Sequence, residues 1–181
     1  MDRKELLREI NLSSYVAFDF ETTGLRFSSD RIIEVAAIRF VDGEISDRFV
    51  TLVNPNQSIP PMITKITGIT NQMVKNKPFE KEILDDLILF IGKDPLVAHN
   101  INFDKNFLDA LCVRYGKEPN ENLIYDTLQL SRCMAFEEAV FNLGSISEYF
   151  GLSSSGSHRA EKDTENCGKI FLDLIEEQSS Y

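Results

Sequence analysis

The chain has no tryptophan, two histidines and three cysteines. Cys112, Cys133 and Cys167 are odd in number and show no CxxC spacing, so they read as reduced thiols in a reducing, cytoplasmic compartment. No apolar run reaches the roughly 18 residues that a membrane span requires. The first residues, MDRKELLREINL, are charged throughout and read as a short amphipathic helix, not a secretory leader. Positive charge is also scarce: 19 Lys and Arg stand against 29 Asp and Glu, a net −10. That balance disfavours a tight, sequence-independent grip on a long nucleic-acid duplex, which depends on neutralising several phosphates. Any nucleic-acid contact should be short and close to one chain end, with tethering left to a partner or an attached domain.

What is present suffices for one well-cored domain: 181 residues, 43% of them hydrophobic. Tyr15–Phe20 is a short apolar run ending in acids, and it reads as a buried strand. Arg31–Phe40 and Arg48–Val53 read as two more strands, joined by a hairpin turn at Val41–Glu44. Asn54–Pro61 holds three prolines and reads as a loop. Thr70 can cap a short helix over Asn71–Lys75. Helical spacing then recurs over Phe79–Ile91 and Asn102–Tyr115, the latter stopped by Gly116. Leu96–Ala98 and Leu123–Tyr125 are short strands, and helices are expected over Thr127–Phe136, Leu143–Phe150 and Arg159–Glu177. The small residues Ser153–Ser157 form a loop before the last helix. Three strands followed by alternating helix and strand suggest an α/β fold, a mixed sheet with helices on both faces.

Three acidic strings punctuate this framework: FDFETTG at Phe18–Gly24, HNINFD at His99–Asp104 and HRAEKD at His158–Asp163. Asp19 and Glu21 are two apart on a strand, so both side chains point to one face. Two such carboxylates repel by roughly 4 kcal/mol at about 4 Å and an effective dielectric of about 20. A hard divalent cation reverses that sign, and oxygen donors favour Mg²⁺ or Mn²⁺ over zinc. Asp104 and Asp163 fall in the first turns of helices, where each alone could simply complement the helix dipole at about 0.3–1 kcal/mol. As a set, the four carboxylates can hold two divalent ions and activate a water. His158 opens the third string and is placed to act as general base. His99 is expected to be buried and hydrogen-bonded, orienting the loop before Asp104. Thr22, Thr23 and Gly24 could hold a terminal sugar hydroxyl, or form an ordinary turn. Ile69 could present an apolar wedge to a terminal base. Phe103 could stack on a base, although its spacing fits a core position equally well. Asp126 and Thr127 read as a helix cap.

The order and spacing of the three strings resemble the DEDDh family of 3′–5′ exonucleases, most closely the bacterial DNA polymerase III proofreading type. The resemblance covers roughly Tyr15 to Leu174, with residues 1–14 as a helical extension of a single exonuclease domain over 1–181. It implies a ribonuclease H-like fold: a five-stranded mixed sheet ordered 3-2-1-4-5, with strand 2 antiparallel. It also implies roles for the acids. Asp19 would bridge two metals. Glu21 and Asp163 would bind the first, with Glu21 also contacting the 3′-hydroxyl. Asp104 would serve the second, and His158 would deprotonate the attacking water. The implied substrate is the 3′ end of single-stranded DNA, with an RNA trimmer as the alternative enzyme. A polymerase or helicase would be the partner, in trans or in the same longer chain. An inactive exonuclease-fold binding module is the reading from another class.

Overall fold

The computed structural model describes residues 3–133, 141–153 and 159–178. A helix α1 (Arg3–Glu9) leads into a meander of β1 (Ser14–Thr22), β2 (Ile32–Val41) and β3 (Glu44–Leu52). Two short helices, α2 (Pro61–Thr67) and α3 (Asn71–Val74), precede α4 (Glu80–Ile91), β4 (Leu96–Ala98), α5 (Ile101–Arg114) and β5 (Ile124–Asp126). The described chain closes with α6 (Thr127–Cys133), α7 (Leu143–Tyr149) and α8 (Ala160–Gln178). The strands form one sheet in the order β3-β2-β1-β4-β5. β2 is antiparallel to both neighbours, while β1, β4 and β5 run parallel.

Because β1 is central, both of its faces are covered. Val16, Phe18 and Phe20 face α4 and α5, meeting Ile83, Leu84 and Leu87 of the first and Phe107, Leu108 and Leu111 of the second. Tyr15 and Ala17 point to the opposite face, where they join Phe40, Cys167 and Phe171 under α8. Period-two alternation explains why the run YVAF is apolar without a break. It also means that Asp19 and Glu21 continue the α8 face.

The β2–β3 turn has Asp42 at φ 50° and Gly43 at φ 84°. Two successive positive angles are what a two-residue type I′ hairpin requires, and Asp-Gly supplies them cheaply. Two expectations need correction. β3 begins at Glu44, earlier than Arg48, because that turn sets Glu44 directly opposite Val41. Its polar residues are tolerated since β3 is an edge strand with much of its length exposed. The proline-rich segment also does not end as loop. Pro61 starts α2 at the first helical position, where its missing N–H costs nothing, and Gly68 at φ 73° stops the helix. Thr70 does cap α3, its side chain accepting from Met73 N at 3.3 Å. The expected helix beyond Cys133 and most of the Ser153–Ser157 loop lie outside the described residues. Cys112 and Cys167 are buried and Cys133 is exposed, all as free thiols. No described helix is long and apolar enough to cross a membrane.

The seat of α8 on the sheet is tight. Tyr15 stacks on Phe40 with ring centroids 4.9 Å apart, and its hydroxyl donates to the Gly168 carbonyl at 2.9 Å. A Cβ on Gly168 would lie 2.3 Å from Phe40 Cε2. That ring is buried and stacked on Tyr15, so displacing it disturbs the pair. Gly168→Ala is therefore expected to destabilise the protein by about 1–3 kcal/mol through overpacking. The check is a urea titration; an unchanged midpoint would show that α8 can lift without cost.

Candidate active site

Asp19 and Glu21 lie at the end of β1, on the side covered by α8, and both are half-buried. Asp104 arrives from the opposite helical layer. β4 is only three residues long and pairs with β1 at Val16 and Ala17 alone. Beyond it the Phe20 N–H has no strand partner on that side and donates instead to Asp104 Oδ1 at 3.0 Å. The buried Asp104 carboxylate thus stands in for a continued strand. Asp163, half-buried, comes from the first turn of α8. The three strings meet at one sheet end.

Their proximity shows in their ionisation. Burial, then the Asp163 and Glu34 charges, push Asp19 up to about 7. Burial, then Asp19, Glu34 and Asp163, push Glu21 up to about 9, against an opposing pull from Arg159. Asp104 is held well above the ordinary carboxylate range by burial and Asp19, despite the stabilising Phe20 amide. These groups are costly as anions and cheap only with a cation among them. Among the described residues, no three His, Cys, Asp or Glu side chains are already drawn into a metal-holding group. The fit to a hard divalent ion rests on the donor set itself: carboxylate oxygens, mutually repelling, from three elements.

The turn that delivers Asp104 is pinned at each residue. His99 Nε2–H donates to the Phe141 carbonyl at 2.9 Å, which leaves Nδ1 to accept from the Thr127 hydroxyl at 3.0 Å. Burial lowers the His99 pKa, in keeping with that neutral form. Asn100 adopts φ 66°, a left-handed angle that asparagine tolerates. Its N–H donates to Asp126 Oδ1 at 2.9 Å, and the same oxygen caps α6 through Leu128 N at 3.0 Å. Asp126 is thus a helix cap and also a brace for the turn. His99 ties that turn to the β5–α6 junction, while Asp104 itself is held by β1.

The remaining expectations divide. His158 lies outside the described residues. Thr22 and Thr23 are buried and their hydroxyls are committed internally. Thr22 Oγ1 donates to the Gly24 carbonyl at 2.6 Å, while Thr23 Oγ1 accepts from Arg31 N at 3.0 Å and Gln57 Nε2 at 2.8 Å. Gly24 leaves room for Asp30, whose Oδ2 would stand 2.5 Å from an added Cβ. This segment is a hydrogen-bonded turn, the other reading given for these residues. Phe103 is partly buried, packs against the core and meets the Phe107 ring at 5.1 Å. Ile69, the expected wedge, lies in the core. It is fully buried with Ile33, Ile59 and Val74, because Gly68 turns the chain inward. Exposed apolar side chains nearby in sequence include Met62 and Ile66 on α2, Met73 on α3, and Leu25 and Phe27 just after Gly24.

Two residues at this site escaped the reading of the sequence. Glu34 on β2 sits opposite Glu21 in the strand register and is buried at 1% exposure. Arg159 reaches it in a bidentate pair, with Nη2 2.6 Å from Glu34 Oε1. The available signal was a lone acid inside the otherwise apolar run RIIEVAAIRF.

The sequence profile of the exonuclease family matches residues 16–171. The chain is 36% identical to the PolC-type DNA polymerase III of Staphylococcus haemolyticus over 170 residues, covering 94% of this chain and 12% of that protein. It is 38% identical over 162 residues to the PolC-type DNA polymerase III of Caldanaerobacter subterraneus subsp. tengcongensis, covering 90% and 12%. It thus spans about an eighth of these relatives' length. Among solved structures, E. coli exonuclease I in complex with a dA16 oligonucleotide superposes with TM-score 0.81 at 20% identity, over 93% of this chain and 43% of that one. Exonuclease X in complex with 5′-overhanging duplex DNA gives TM-score 0.73 at 25% identity, over 92% and 93%. The likeness confirms the ribonuclease H-like sheet, and the profile match over most of its length shows that the chain belongs to the exonuclease family, as a nuclease hydrolase domain.

Proposed function

We propose that this chain is a single, cytoplasmic exonuclease domain that removes nucleotides from the 3′ end of single-stranded DNA, releasing nucleoside 5′-monophosphates in a proofreading or repair setting. The observation that carries the reading is the convergence of Asp19, Glu21, Asp104 and Asp163 at one end of β1. The PolC-type polymerases support a DNA substrate and a polymerase context, in trans or in a longer chain. Exonuclease I bound to dA16 supports a single strand. The RNA-trimming alternative gains nothing from these relatives.

Asp19, Glu21, Asp104 and Asp163 would hold two divalent ions, Mg²⁺ or Mn²⁺. A divalent ion, when bound, supplies Lewis acidity toward phosphate oxygens. The chain's own residues do the rest. Glu21, at the strand end, orients the terminal 3′-hydroxyl, a task that the committed hydroxyls of Thr22 and Thr23 leave to it. Exposed Leu25 and Phe27 offer apolar surface to an unstacked terminal base. His158 accepts the proton of the attacking water as its oxygen bonds to phosphorus, and the bond to the preceding nucleotide's 3′-oxygen breaks.

Three outcomes are expected. Oligonucleotides ending in a 3′-hydroxyl should be digested while those ending in a 3′-phosphate resist; equal rates on labelled versions of both would remove Glu21 from end recognition. His158→Ala should lower turnover by about 10²–10⁴-fold with Mg²⁺ affinity retained. A folded variant with wild-type rates would exclude the general-base role.

The third concerns pH. The folded pKa values of Asp19 and Glu21, about 7 and about 9, lie above those of an unfolded chain. The native state therefore binds more protons, and metal-free stability falls as pH rises through that window. Mg²⁺ favours the charged forms, so it should raise the melting temperature more at about pH 9 than at about pH 6. Equal increments at both would show that these acids do not bind it.

A further inference from the structure

Glu34 and Arg159 form a clamp between the strand beside Glu21 and the helix that supplies Asp163. Glu34 is buried near the start of β2. Its Oε1 receives Arg159 Nε at 3.1 Å and Nη2 at 2.6 Å. Its Oε2 receives Arg159 Nε at 3.2 Å and, independently, the Ala160 amide at 3.0 Å. That last bond takes one of the orphan donors at the start of α8, so Glu34 also caps the helix from another element. A turn further on, Thr164 Oγ1 donates to the Ala36 carbonyl at 3.5 Å, two residues along the same strand. Arg48 of β3 holds Glu161 at 3.2 Å and Glu165 at 2.8 Å. Every one of these contacts fixes the first turns of α8 against β2 and β3, and Asp163 lies among them.

A buried carboxylate next to Asp19 and Glu21 is an expensive choice for fold stability alone. It adds to the repulsion that both acids already feel. An apolar residue would fill β2 without that cost.

We propose that Glu34, acting through Arg159, is a positioning residue that holds Asp163 opposite Asp19 so that the site closes on its divalent ion. The pair need not touch the substrate or the ion. Its work is to set the rotation and depth of the α8 N-terminus, where side chains that support ligands commonly change metal affinity by about 10–100-fold. This inference rests on the reading of the four carboxylates as metal ligands.

Charge and position can be separated. Arg159→Gln removes the clamp and, with it, a positive charge beside the site that opposes a divalent cation. Charge alone would then tighten divalent binding; loss of position would weaken it. Mn²⁺ affinity of the full chain is measured by titration calorimetry below the melting temperature, with circular dichroism confirming the fold, alongside kcat and KM on a 3′-hydroxyl oligonucleotide. Arg159→Gln and Glu34→Gln are each expected to weaken Mn²⁺ by about tenfold or more and to lower kcat with little change in KM. Arg159→Lys, which keeps a donor and the charge, should recover part of the loss. Mn²⁺ binding by Arg159→Gln as tight as in the parent, or tighter, overturns the clamp. Asp19→Asn serves as the reference: if it too binds Mn²⁺ normally, the metal-site reading fails and the clamp with it.

Discussion

Repulsion among carboxylates at the end of β1 is the constraint to which the surrounding structure answers. Asp19 feels Asp163 and Glu34, Glu21 feels all three, and Asp104 feels Asp19 and Glu21. Left to relax, such acids would splay toward water. They stay because each is fixed by backbone that has other reasons to be where it is. Asp19 and Glu21 are carried by the central strand, with apolar packing on both faces. Asp104 is held by the Phe20 amide, available only because β4 is so short. Asp163 rides on a helix seated against Phe40 through Gly168 and tied down at its start by Glu34. The energy that keeps like charges together is supplied by the hydrophobic burial of the elements that bear them.

Two opposed layers deliver these acids. α5 brings Asp104 across the face covered by Phe18 and Phe20, and α8 brings Asp163 across the face covered by Tyr15 and Ala17. The strand alternation that sorts apolar side chains to two cores also sends Asp19 and Glu21 to the α8 side. A one-residue slip between β1 and β2 would exchange the faces and separate Asp19 from Asp163. The two-residue turn at Asp42–Gly43 sets the β2–β3 register, and the long β1–β2 pairing from Ser14 to Thr22 sets the other.

Much of this was legible in the sequence because it is local. The Asp-Gly turn, the helical spacing of α4 and α5, the strand between them and the three acidic strings all depend on residues close in the chain. What was not legible is set by distant partners. Glu34 reads as an oddity in an apolar run until Arg159, just before a helix far along the chain, is folded against it. Ile69 looks like an exposed apolar tip until Gly68 turns it onto Ile33 and Val74. Thr22 and Thr23 look like ligand-binding hydroxyls until Gly24 and Gln57 claim them. β3 starts in polar residues because it is an edge, a fact of topology and not of composition. α2 hid behind its prolines, although a proline at a helix start is no obstacle.

The same repulsion governs how a chain of net charge −10 meets an anionic substrate. Bare, the site would meet phosphate with carboxylate. With divalent ions among the acids the local charge would be neutralised and the ions would face phosphate oxygens directly, while the rest of the surface stays negative. If the proposed function holds, substrate affinity would be coupled to metal loading, and by linkage the substrate would tighten the metal in the same proportion. Such a surface attracts nucleic acid at one point and repels it elsewhere, which suits capture of a single end and suits poorly a long hold on the strand behind it. On the proposed function, sustained contact would have to come from another protein or domain that binds the strand.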